Sequence, residues 1–434
     1  MTTLTKNQPH QDGWKNLNSG LGSRKDKSQT ARPAAIPRLT DTELARLYYA
    51  DGIAADAIDY LPEDMTKNGF EVDGDNGKLD DAFRTLSGPD KFKKALAWVE
   101  LYGGGLILMD IEGSGAYDTP FDPMANPRPV RSLRVYPRTR IDLGLMRPVD
   151  LPESPYFEDY EFFVIRKVTG GTFTVHASRC LVFKSPIEVD PTMPGFTREE
   201  RYWGLPAVLR FYDAIAGYGS LVQGLTHLGQ ELAVGKYKLA NLEQLVAEGD
   251  YKSINRRMDA IDTQKSIVNG VFLGEGEEYT REQLTLSGVD ALTDRFQMHV
   301  AATTRYPVTR IFGRSAAGMN ATGKGDQDNY YDRVASAQTS RLEPLLIRLL
   351  TVLNAYLKVI PVDEKISITF NSLYPADQNE QADVRLKISQ ADANYIDRGV
   401  LFPDEVRKNR FVGGYKLDTA VEDTAAPSLI PPEG

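Results

Sequence analysis

Cysteine is nearly absent. Cys180 is the single one in 434 residues, so the chain can form no internal disulfide, and within Ser178–Phe183 it reads as a small buried strand residue. Histidine is almost as scarce: His10, His176, His227 and His299 lie far apart and none has ligand spacing. A catalytic zinc site is therefore not expected, nor any other metal or cofactor. No run of about 18 apolar residues occurs, and the N-terminus has no apolar signal core, so the chain reads as made in a reducing cytoplasm with no membrane partner. Basic charge is not in excess, with 51 Lys and Arg against 60 Asp and Glu and a net charge of −9. That balance argues against a surface built to grip duplex DNA tightly. GxSxG is missing, and so is a convincing pair of catalytic carboxylates; Glu63/Asp64 and Asp80/Asp81 read as solvated helix-end charges.

What is present suits a sizeable core. The hydrophobic fraction is 41% and the charged fraction 26%, enough for two or three packed units. Residues 1–37 are polar and slightly basic and read as a flexible arm whose Trp14, Leu17 and Leu21 could pin it to a neighbour. Order begins at Thr40, an N-cap with Glu43 three residues on, followed by a helical apolar pattern to Leu61 that Pro62 should stop. A helix over 90–102 runs into Gly103–Gly105 and an apolar strand over 106–111. Strands follow over 132–136, 160–168, 172–176 and 180–184, giving an α+β unit.

From Leu205 the period turns helical to Leu232, with Gly217, Gly219, Gly224 and Gly229 inside it, each costing roughly 1 kcal/mol relative to alanine. Glycines persist in a helix where something packs closely, whether the core of the same chain or a neighbouring copy. Residues 236–287 read as a compact insert, with strands over 237–240 and 266–273 and a charged helix over 242–261. A further helix over 291–304 leads to Pro307. The segment after it, Gly313 to Gly325, carries Gly313, Gly318, Gly323 and Gly325 and can move or pass close to another molecule. A long apolar-periodic helix comes next, with Pro344 inside it, and the spacing predicts a kink there rather than two helices. Alternating Ile366, Ile368 and Phe370 predict a strand, polar helices are expected over 375–399 and 402–411, and 413–434 read as a tail.

Gly318–Lys324 matches the spacing of a phosphate loop, but the next residue is Gly325 where Ser or Thr should hold magnesium. The loop also lacks a buried strand directly before it, since Val308–Phe312 ends early and contains Arg310. Leu106–Asp110 imitates the metal-holding strand of such enzymes and reads better as core. His176-Ala-Ser178 is half of a two-histidine phosphoesterase pattern, and neither His227 nor His299 completes it.

Across residues 39–411 the chain resembles the phage portal proteins, in particular a phage head family once known only as a domain of unknown function. The most specific segments are Tyr306–Asp332, Gln338–Pro344 and the helix-to-strand passage from Tyr102. Gly318-Met319-Asn320 stands where the family has Gly-Leu-Asn, and Lys324 where an acidic residue is common.

The resemblance implies an α+β portal-type subunit: arm 1–37, wing 38–203, first stem helix 204–233, α/β clip 234–287, second stem helix 288–305, tunnel loop 306–326, kinked long helix and wing strand 327–372, helical crown 373–412, tail 413–434. It implies a non-enzymatic ring of about twelve copies at a capsid vertex of the virion. Double-stranded DNA would pass through without sequence specificity. Terminase large subunit, head-tail adaptor and major capsid or scaffold protein would be its partners. Gly313, Arg314, Gly318, Met319, Asn320, Gly323, Lys324 and Gly325 would face DNA, and the four stem glycines would pack against a neighbour. Some family members are linked to a two-histidine phosphoesterase; with the motif pair missing, that activity is not expected here. Two alternatives are a P-loop-type ATPase and another ring-forming head-tail connector. The ATPase reading predicts that Mg-ATP raises the melting temperature and that Lys324→Ala abolishes the rise, whereas a portal melts at the same temperature with or without nucleotide.

Overall fold

The computed structural model describes residues 39–231, 235–238, 278–281, 288–313, 324–361, 364–374 and 378–400, with short pieces of 246–259 and 402–406. The chain divides into two compact units, residues 1–373 and 374–434. The fold is α+β, as expected.

The capping box at Thr40 forms, with Thr40 N donating to Glu43 Oε2 at 2.7 Å and Glu43 N to Thr40 Oγ1 at 3.3 Å. The single helix expected behind it is instead two, α1 (Asp41–Ala50) and α2 (Gly52–Thr66). Asp51 is extended at the break, and its carboxylate accepts from Ala54 N at 2.9 Å, restarting the helix with a fresh N-cap. Pro62 does not stop α2. It lies inside the helix, buried, and the surrounding core holds that turn despite the missing donor.

Strand β1 (Phe70–Val72) and helices α3 (Lys78–Thr85) and α4 (Gly88–Tyr102) lead to β2 (Gly104–Ile111), which is buried at every position. It is the centre of an antiparallel sheet between β3 (Val130–Pro137) and a strand at Cys180–Lys184. A run apolar on both faces needs cover on both, and the core divides accordingly. Ile107, Met109 and Ile111 join the larger cluster with α2 and α4, while Leu106 and Leu108 face the smaller one with Tyr136, Phe163, Cys180 and Trp203. The glycines before β2 are required by close approach. A Cβ on Gly103 would lie 2.6 Å from the Gly204 carbonyl oxygen, and one on Gly104 would lie 2.3 Å from the Trp203 ring. Cys180 is fully buried, and burial pushes its thiol up to about 12.

The hairpin β4 (Phe162–Arg166) and β5 (Thr172–His176) precedes β6, the strand at Cys180–Lys184, and α5 (Arg198–Trp203) follows it. Helix α6 (Val208–Glu231) is the glycine-bearing one. Strands β7 (Gly235–Lys238) and β8 (Glu278–Arg281) pair antiparallel. The expected strand over 266–273 and most of the charged helix lie outside the described residues. Helix α7 (Val289–Thr304) returns to pack on α6. Val308–Phe312, read as an apolar stretch ending too early to be a phosphate-loop strand, is a short helix, α8, entered from Pro307 and closed by Gly313 in the left-handed region (φ 63°).

Helix α9 starts at Lys324 and runs to Ala337, so Lys324 and Gly325 belong to a helix rather than to the loop. A π turn at Gln338–Leu342 joins it to α10 (Glu343–Leu357). Pro344 is the second residue of α10, and Ser340, whose carbonyl it would crowd, lies inside the wide turn. Strand β9 (Ile368–Phe370) pairs with β1. In the second unit, Gln378–Asp397 forms the polar helix α11. No helix among the described residues is long and apolar enough to cross a membrane.

Asp110, on β2, shows how the sheet tolerates a buried charge. Burial alone would raise its carboxyl, but hydrogen bonds from Tyr117 and Arg131 and the Arg134 charge hold it below the ordinary 3.8. Its contacts are Tyr117 Oη at 2.7 Å, Arg131 Nη2 at 2.9 Å and Arg134 Nη2 at 2.7 Å. A depressed carboxyl contributes stability that is complete above its unfolded value and lost as pH falls through the folded one. Asp110→Asn should therefore lower unfolding free energy by about 1–3 kcal/mol at neutral pH, with the gap closing in acid; urea titrations at several pH values read this, and a pH-independent gap would refute it.

Candidate functional site

Helices α8 and α9 flank the glycine-rich segment in sequence, and both are fastened to one carboxylate on α2. Asp64 occupies the buried face of α2, one turn beyond Leu61 and two beyond Ala57, and its side chain is 1% exposed. Tyr330 of α9 donates to its Oδ2 at 2.6 Å, Arg310 Nη2 of α8 reaches Oδ1 at 3.1 Å, and Lys67 Nζ reaches Oδ1 at 2.8 Å. Asp64 is thus not the solvated helix-end charge its sequence neighbourhood suggests, because α8 and α9 close over it. Burial, then the neighbouring Tyr306 and the bond to Asp64, push the Tyr330 hydroxyl well above its ordinary value, so it stays protonated and donates.

A second tyrosine completes the junction. Tyr306 is buried between α7 and α8; its hydroxyl donates to the Ala57 carbonyl and accepts from Leu61 N, each at 3.0 Å. Its ring meets Tyr60 at 5.9 Å and Tyr330 at 5.4 Å between centroids. The Arg310 guanidinium lies 4.3 Å over the Tyr60 ring, and Arg333 caps the end of α7 by donating to the carbonyls of Thr304 and Arg305. Phe312 packs edge-on against Tyr218 of α6 at 5.3 Å. The loop's two stems are thereby fixed to the core and to the glycine-bearing helix.

Of the residues expected to face DNA, Gly313 closes α8, and Lys324 and Gly325 open α9. Arg314, Gly318, Met319, Asn320 and Gly323 lie outside the described residues. On α6, a Cβ at Gly217 would touch only Phe296, at 3.7 Å, and one at Gly219 or Gly224 would meet no described atom of the chain within 4 Å. Among the described residues the core is therefore not the close-packing partner of Gly219 and Gly224. The surroundings of Gly229 lie outside the description. Beside the bare glycines the two helices expose Val222, Leu292 and Met298. Among the described residues no group of His, Cys, Asp and Glu could hold a metal. His176 is buried, with Nδ1 2.9 Å from Ser178 Oγ.

Residues 42–394 match the family described as phage portal protein. An anti-CBASS protein Acb1 of Sphingomonas paeninsulae is 27% identical over 434 aligned positions, covering 96% of this chain and 66% of that protein. A protein of the same name from Caulobacter is 26% identical, covering 78% of this chain and 55% of that one. The chain therefore spans only part of the length of these curated relatives. Among solved structures, a chain from the neck of an empty GTA particle is similar with a TM-score of 0.49 and 15% identity, over 88% of this chain and 95% of that one.

If Asp64 holds both loop stems, Tyr330→Phe should cost about 1–3 kcal/mol, because a buried bond to a charged acceptor is lost. Asp64→Asn and Tyr330→Phe together should cost less than the sum of the two by at least about 0.5 kcal/mol. Urea denaturation of the two single variants and the double variant measures this, and strict additivity would break the coupling argument.

Proposed function

This chain belongs to the phage portal protein family, and from that premise we propose that it assembles into a ring of about twelve copies at one vertex of a capsid and serves as a channel for packaging and ejecting the genome. The observation that carries the reading is that on the packed pair α6 and α7, Gly219 and Gly224 have open space beside them and Val222, Leu292 and Met298 are exposed. A helix pair that spends helix stability on glycines and leaves apolar side chains in water gains both back when a second copy covers them. In this reading α6 and α7 are the stem, the segment between them the clip, residues 38–203 the wing, and α11 lies in the crown. Of the expected tunnel loop 306–326, Tyr306 and α8 are fixed to the core and 324–326 open α9, so the segment between α8 and α9 would be the tunnel loop, with Arg314 and Lys324 making weak, exchangeable contacts to phosphates. Terminase large subunit and a head-tail adaptor would dock on the clip end, and capsid or scaffold protein on the wing. The chain acts structurally, not as an enzyme. The Acb1 name belongs to proteins of which this chain spans 66% and 55%, and its sequence has no second His-x-Ser motif to carry a two-histidine activity across.

Negative-stain images of the purified chain test the proposal: rings with a central channel are expected, and monodisperse monomers at high concentration would contradict it. Gly219→Leu with Gly224→Leu should abolish rings while circular dichroism stays unchanged; intact rings would remove the close-packing argument. Arg314→Ala with Lys324→Ala should alter DNA packaging or retention and leave the rings whole.

A further inference from the structure

The stem, the π turn and the end of α7 enclose a cleft of about 260 Å³ whose charge the portal reading does not use. Four arginines line it: Arg210 on α6, Arg305 just after α7, Arg333 on α9 and Arg341 in the π turn. The single acidic residue in its lining is Glu100, which is spent on Arg341 at 2.7 Å, with both side chains largely buried. Arg341 Nε is also buried and has no hydrogen-bond partner. Arg210 and Arg305 are exposed at the rim and form no side-chain ion pair among the described residues. In a chain whose net charge is −9, four guanidiniums line one cleft with one carboxylate among them, Arg333 also donating to the Thr304 and Arg305 carbonyls at the end of α7.

Two further features favour an anion. Helix α6 begins at this cleft, and the residues before it, Pro206 and Ala207, have no side-chain acceptor to cap it. The first turn of α6, through Ala207, Arg210 and Phe211, lines this cleft opposite the end of α7, whose last carbonyls Arg333 caps. The Ser336 side chain lines the same space and adds a hydroxyl. The π turn contributes the geometry: π turns recur at functional sites because they push a side chain out of its helical register. Here the turn carries Arg341, 14% exposed, into a lining it shares with Arg333.

We propose that this cleft binds a single phosphoryl group. Guanidinium forks match the geometry of a tetrahedral oxyanion, and Arg210 and Arg305 at the rim, with Arg333 and Arg341 behind them, suit a dianion better than a carboxylate. The space falls below the roughly 300–1,000 Å³ of pockets that enclose drug-sized ligands, so a phosphate fits and anything attached to it projects past Arg210 and Arg305. A duplex is too wide to enter, which separates this site from any contact the channel makes with DNA. The ligand is free phosphate or the terminal phosphate of a small monoester.

The test is the melting temperature of the full chain, titrated with inorganic phosphate at constant ionic strength held by chloride, and in parallel with glycerol phosphate against glycerol. Phosphate should raise it in a saturable way that chloride does not reproduce. A rise with glycerol phosphate as well identifies a monoester as an acceptable source; a rise with phosphate alone identifies the free ion. Arg210→Gln and Arg305→Gln, at exposed positions, should keep the unliganded melting temperature and weaken phosphate about tenfold or more each. Isothermal titration of the same variants gives the affinity directly. A phosphate effect no larger than that of chloride overturns the proposal, as does full phosphate affinity in both variants. Neither readout depends on ring formation, so failure here is distinguishable from failure of the portal reading.

Discussion

A carboxylate with almost no access to water, Asp64, holds together three parts of the chain that are far apart in sequence. Leaving it unpaired would cost several kcal/mol, and Arg310, Lys67 and Tyr330 supply the partners that let α2 bury this face. Arg310 and Lys67 are both more than a third exposed, so their attraction is screened and contributes modestly. The Tyr330 bond is wholly buried and is the stronger constraint. Because α8 and α9 flank the glycine loop, the same requirement fixes where that loop leaves the body and where it returns.

The tyrosines extend this from a point to a platform. Tyr306 binds the backbone of α2 at Ala57 and Leu61 while its ring touches Tyr60 and Tyr330. Arg333 then closes the end of α7 on the same side. The end of α7, the helices α8 and α9 and the helix α2 thus share one hydrogen-bonded layer.

Much of this was legible in the sequence where one local rule decided the outcome. The capping box at Thr40, the strand at Cys180–Lys184, the buried run of β2 and the return of a second helix after the insert all follow from cap chemistry or from apolar period. Asp64 was misread because an acidic residue near a proline resembles a helix end. Its place in the series Ala54, Ala57, Ile58, Leu61, Asp64, Met65 is the signal that marks it as facing inward. Pairing partners more than 240 positions away, Arg310 and Tyr330, have no local signature at all. The break at Asp51 was hidden because the apolar period continues across it.

The long helix shows why local rules can identify a disturbance and misplace its cause. Pro344 was expected to kink this helix; it is the second residue of α10, and the π turn just before it is what accommodates the packing. Tyr330, Val334, Gln338, Leu342, Leu346 and Leu350 are all buried and follow one another at intervals of four. In a regular α-helix of 3.6 residues per turn each such step drifts about 40° around the axis, so five steps would carry the stripe away from the core. One wide turn takes up part of that drift, keeps Leu342 and Leu346 inward, and lets Gln338 donate to the Met65 carbonyl at 2.9 Å. The same unwinding brings Arg341 inward beside Glu100. A single register correction thus preserves the hydrophobic seam along α2 and creates the charged cleft beside it. Removing one residue from the turn would therefore disturb both together, since neither can be reset without rotating the rest of α10.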